Sequence, residues 1–226
     1  MTMSAIPPSK VRALMEEIDA ARSLLQHGIT ILESYTYAGR DADAVFVCLA
    51  GGAEKLLKLS AGVASLDTTG TWPSKSVMIN WGHDITQLNR HVRSLIIQYA
   101  FRSSAPGYIA ELLAAVDKDP YIGALLDTLG AYAKQGRFYN LDHLADATQP
   151  GDPPGELWER LHRKLTEQNP ELLTGLTMPD GWNQARTRLN QHIVMSIRSW
   201  RELIVRSWCT GVLGGVAKQW GPQLTL

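Results

Sequence analysis

The chain has 226 residues, 45% hydrophobic and 19% charged, and its 22 basic and 22 acidic side chains cancel. That composition belongs to a globular protein with ample material for a core, and it excludes both a disordered tail and a polyanion binder driven by net charge. No apolar run approaches the roughly 18 residues of a membrane helix, and the first residues lack an apolar leader, so the expectation is a cytoplasmic chain without a membrane span.

Apolar residues recur at intervals of three and four almost throughout, which predicts an all-α protein. A first helix begins behind Pro7 and Pro8, with Ser9 as its cap, runs to about Tyr37 and is broken by Gly39. Asp41 or Asp43 opens a second helix reaching about Leu66. Its paired Gly51 and Gly52 cost about 1 kcal/mol each relative to alanine, which predicts close approach of another backbone.

"DTTGTWPSKSV" reads as a loop, and a third helix follows from about His83 to Ser103. Further helices are expected at 108–116, 120–134 and 156–167, with "QGRFYNLDHL" as a turn and "DATQPGDPPGE" as the most linker-like stretch. The last long helix, from about Trp182 to Trp208, carries a broad apolar stripe that packs on a bundle.

Charge is unevenly spread. From Ala105 to Gly155 acids outnumber bases, and from Asp180 onward the reverse holds through Arg186, Arg188, Arg198, Arg201 and Arg206. The two segments either attract each other within the fold or between subunits, or the basic one holds phosphates. Cys48 and Cys209 are far apart and without metal-ligand spacing, so they read as reduced thiols. The six scattered histidines and the lack of a phosphate-loop motif give no reason to expect a metal or cofactor.

Two short stretches hold charges among apolar residues. In "GGAEKLLKLS", Glu54 and Lys58 are spaced for an ion pair on one helix face, with Lys55 to one side. In "WGHD", Gly82 permits a turn, Asp84 can cap the next helix, and His83 is either a proton carrier or an ordinary loop residue. Glu54, Lys55, Lys58, His83 and Asp84 are therefore either solvated helix faces or one polar binding cluster between the second and third helices.

The order of these motifs, Glu-Lys-x-x-Lys and then Gly-His-Asp opening a long helix, resembles HEPN-type helical domains, including relatives of bacterial abortive-infection proteins. The resemblance covers about residues 10–140. It implies an up-and-down helical bundle core, followed here by a C-terminal helical extension at 155–226 within a single domain. Many such domains are homodimeric, metal-independent ribonucleases carrying an Arg followed, after four to six residues, by a His. Arg supplies a fork of donors for a phosphate and His moves the proton of a 2′-hydroxyl.

Three pairs have that spacing: Arg22 with His27, Arg137 with His143, and Arg186 with His192. The first lies mid-helix on an exposed face. The second lies at a helix-ending turn, and the third on the basic last helix, where Arg186 shares a face with Asn190. The catalytic candidates are thus Arg186 and His192, or Arg137 and His143. The sequence supports two functions: an RNA-cleaving dimer of bacterial defence or toxin–antitoxin type, or a non-catalytic module that binds a protein partner.

Overall fold

A computed structural model describes residues 8–35, 38–148, 150–172 and 181–225, and these are all-α, with no strand among the described residues. None of the described helices is long and apolar enough to cross a membrane.

Helices α1 (Pro8–Glu33) and α2 (Ala38–Thr69) form the most extensive helix pair. Gly52 lets them touch: a Cβ there would lie 2.7 Å from Leu25 Cγ and 2.8 Å from the Leu25 amide nitrogen. Its neighbour Gly51 would meet only Leu24, at an ordinary 3.5 Å. The close backbone approach expected of the glycine pair thus belongs to one member. Ser9 lies within α1, which ends at Glu33, and Gly39 lies inside α2 rather than breaking a helix. Tyr37, the expected end of the first helix, is outside the described residues.

The stretch read as a loop runs into a short helix, α3 (Lys75–Trp81), that starts inside it, capped by Ser74, whose hydroxyl accepts from the Val77 amide. It buries none of its residues, so it carries no apolar periodicity to betray it. Helix α4 (Ile85–Tyr99) is capped by Asp84, which accepts from the Gln87 amide at 2.9 Å, and it buries Ile85, Leu88, Val92 and Ile96. Helices α5 (Pro106–Lys118) and α6 (Ile122–Lys134) follow. In place of the expected turn, a 3₁₀ turn at Gly136–Phe138 leads into α7 (Tyr139–Leu144).

Helix α8 (Pro154–Gln168) buries Trp158, Leu161 and Leu165. Helix α9 (Trp182–Cys209) has the span that its stripe predicts, and the chain finishes with α10 (Gly215–Trp220) and a 3₁₀ turn.

Helix α2 packs against α1, α4, α6 and α10, while α9 packs against α1, α5, α6, α8 and α10. The C-terminal helices share one core with the N-terminal ones. Two fully buried tryptophans of α9 tie them together: Trp208 donates to the Ser60 hydroxyl of α2 and Trp200 to Asn89 of α4, both at 2.8 Å. A buried indole N–H needs such an acceptor.

Candidate functional site

The two charged motifs meet in space. Glu54 is one helical turn before Lys58 on α2 and accepts from its ammonium at 2.8 Å, while His83, just ahead of α4, places Nδ1 3.0 Å from both carboxylate oxygens. A carboxylate only accepts, so Nδ1 carries the hydrogen. Burial pushes the Glu54 carboxyl up. The hydrogen bonds and charges of Lys58 and His83 outweigh it, and hold the group below the usual carboxylate range. Every member of this knot has a partner.

The other two charges go elsewhere. Lys55 pairs with Glu17 of α1, bracing the α1–α2 seam. Asp84 caps α4 and receives the Lys134 ammonium of α6 at 2.5 Å. Burial raises the Asp84 carboxyl, but Lys134, the Gln87 amide and the charge of Arg90 bring it below the usual range. The five residues therefore fall into one three-membered knot and two separate ion pairs.

Asp84 and Lys134 open onto a groove of about 540 Å³ between α4, α6, the turn into α7 and the start of α8. Asp127, Asp152 and Arg90 complete its charged lining. Asp127 accepts from Thr86 at 2.9 Å and Asp152 pairs with Arg160. Tyr139 also lines a smaller recess of about 360 Å³, beside His143 and Asp146. Next to these, Phe138, Leu141 and Leu144 are 62%, 62% and 79% exposed, at the i, i+3, i+6 spacing of one helical face.

The three sequence-spaced Arg–His pairs have different surroundings. On α1, Arg22 pairs with Asp19 at 3.3 Å and His27 Nδ1 lies 2.7 Å from the Ser23 carbonyl. Arg137 and His143 are both exposed, on the 3₁₀ turn and on α7. Arg186 lies over the Tyr35 ring, 4.9 Å from its centroid, while His192 makes an edge contact with Tyr121 at 6.0 Å. The last helix's other bases are largely answered within the fold: Arg198 pairs with Glu33 at 2.6 Å, Arg206 with Glu202 at 2.5 Å, and Arg201 donates to the Leu224 carbonyl. The acids of the central segment turn to other partners, Asp117 to Arg93 and Asp152 to Arg160.

Arg186 instead has a spatial neighbour that its sequence spacing does not announce. His162 of α8 sits against Trp158, with ring centroids 4.9 Å apart, and Trp158 donates to the Tyr35 hydroxyl at 3.2 Å. Burial, reinforced by the charge of Arg186, pulls the His162 imidazole down to about 3. Asn190, one turn after Arg186, donates to the Tyr35 carbonyl at 2.6 Å. The sequence held one signal for this group: Trp158, Leu161, His162 and Leu165 follow the i, i+3, i+4, i+7 pattern, which puts the histidine on the apolar face of its helix.

No group of three or more His, Cys, Asp or Glu among the described residues is arranged to hold a metal. Comparison with protein-family models, with curated proteins and with solved structures finds no match for the chain.

Proposed function

We propose that the chain is a HEPN-like helical module of bacterial defence or toxin–antitoxin type that works by binding a protein partner in the groove beside α7. The contact of Glu54 with His83 supports the HEPN-like reading, because it gives the two motifs behind that resemblance a common purpose in joining α2 to α4. The observation that carries the binding role is the groove's lining: three carboxylates, Asp84, Asp127 and Asp152, against two cations, Arg90 and Lys134. Such a surface disfavours an RNA backbone, which binds through Lys and Arg. With the exposed Phe138, Leu141 and Leu144 beside it, the groove suits a segment carrying Lys or Arg together with large aliphatic residues.

Selection from a random peptide library tests this. Enriched peptides are expected to be basic and aliphatic, and to be lost on the double change Asp127→Lys and Asp152→Lys. Enrichment of acidic peptides, or of none, would remove the groove as a partner site.

A second reading, RNA cleavage in a homodimer, rests on the exposure of Arg137 and His143. It predicts metal-independent cleavage in EDTA that His143→Ala abolishes. Intact RNA with folded, dimeric protein argues against it.

A further inference from the structure

All four buried side-chain nitrogen and oxygen atoms without a hydrogen-bond partner among the described residues belong to one cluster: both ring nitrogens of His162, Nε of Arg186 and Oδ1 of Asn190. Buried polar atoms are normally paired, and each one left alone costs about 1–3 kcal/mol. Elsewhere among the described residues the buried side-chain polar atoms are paired, down to Ser60 and Ser207. The concentration of exceptions in one place points to a ligand.

The chemistry of the ligand follows from the atoms. Arg186 Nε–H is a donor that seeks an acceptor. His162 can give or accept at either nitrogen, and as an imidazolium gives at both. Asn190 is 1% exposed, and its amide nitrogen is committed to the Tyr35 carbonyl, so Oδ1 is an acceptor that seeks a donor. No carboxylate among the described residues pairs with Arg186 or His162, and Arg186 is the charge that acts on the imidazole. The site thus holds one fixed positive charge and can hold a second. A carboxylate or sulfate would satisfy the donors but leave Asn190 facing another acceptor. A phosphate that keeps one hydroxyl satisfies all three side chains.

We infer that the end of α1 and the facing sides of α8 and α9 form a site for a phosphate group, with Arg186 and His162 donating to its oxygens and its hydroxyl donating to Asn190. None of these residues lines the groove, so the site stands independently of the partner-binding role. Binding draws a proton onto His162, because the anion favours the charged imidazole that burial and Arg186 oppose.

Calorimetric titration of the full chain with inorganic phosphate, at pH 6.5 and 7.5 and in buffers of different ionisation heat, tests the inference. The expected result is saturable binding with net uptake of a fraction of a proton, tighter at the lower pH by less than about tenfold because free phosphate itself gains a proton between the two pH values, and at least about tenfold preference over sulfate. Arg186→Gln and His162→Gln are each expected to weaken binding at least about tenfold, whereas Arg188→Gln, exposed on the same helix, leaves it unchanged. If His162→Gln does not fold, the ring proton resonances of His162 in the unaltered chain, moving to their imidazolium positions on phosphate binding, still test the histidine.

Oligoribonucleotides with a 3′-phosphate or a 3′-hydroxyl distinguish free phosphate from an RNA end. Preference for the phosphorylated end extends the assignment to RNA termini, and indifference to the oligonucleotide confines it to small phosphates. No binding up to on the order of 10 mM phosphate, sulfate binding equally well, or an equal loss in Arg188→Gln would overturn it.

Discussion

The knot of Glu54, Lys58 and His83 and the cluster of His162, Arg186 and Asn190 are both polar groups set between packed helices, and they differ in closure. In the first, one carboxylate at 12% side-chain exposure satisfies an ammonium and an imidazole. In the second, two potential cations and an amide share no counter-charge among the described residues, and four polar atoms are left over. A closed knot stabilises its fold. An open one costs stability, and proteins retain such a cost at sites of function.

The contrast breaks most directly at the seam that holds the closed knot in place. Gly52→Val would drive side-chain atoms into the Leu25 backbone, and a loss of about 3 kcal/mol is expected in urea denaturation. Glu54→Leu would leave Lys58 and His83 without their acceptor, for a loss of about 2 kcal/mol in the same assay.

Acid separates the two clusters by window. His162 is held neutral, with its folded value near 3 against 6.5 for a free imidazole. The unfolded chain therefore binds more protons below pH 6.5, and the stability that is complete above that pH falls away towards pH 3. Roughly 2 kcal/mol is expected to be lost by pH 5, seen as a falling Tm. Glu54 has the opposite kind of shift, a carboxyl lowered from 4.5. Its contribution is intact above pH 4.5 and disappears only as pH falls through the lower folded value. Acid sensitivity that begins near pH 6 and vanishes in His162→Leu belongs to the open cluster.

At neutral pH and without phosphate, His162→Leu is expected to gain about 1 kcal/mol, because it replaces an unpaired buried polar ring with an apolar side chain. A loss there would mean that the histidine stabilises the apo fold, and the contrast with Glu54 would fail. The smallest effect is expected from Arg198→Ala, which removes an ion pair with Glu33 that is about half exposed, at a cost of about 0.5 kcal/mol.

Much of the helical frame was legible because amphipathic helices write their burial into a spacing of three and four. The stripe from Leu189 to Trp208 carried the last helix to within a residue of its end. Helix α3 buries nothing and so wrote nothing, and α7 hid behind Gly136 and a short polar stretch. Glu54 and Lys58 were legible as a local pair, but the arrival of His83 from 29 residues away was one of two alternatives that the sequence left open.

By itself the sequence determined an all-α chain, the position of its long helices and the local i, i+4 pairing, since each depends on neighbours along one helix. Tertiary packing alone decided that Lys55 and Asp84 part from Glu54 to serve α1 and α6, and that Arg186 has His162 as its neighbour across α8 and α9. Buried hydroxyls such as Ser60 and Ser207 find a carbonyl one turn back on their own helix. Whether a buried ring or amide such as His162 or Asn190 finds a partner depends instead on groups from distant helices meeting within about 3 Å, a distance that no spacing along a single helix encodes.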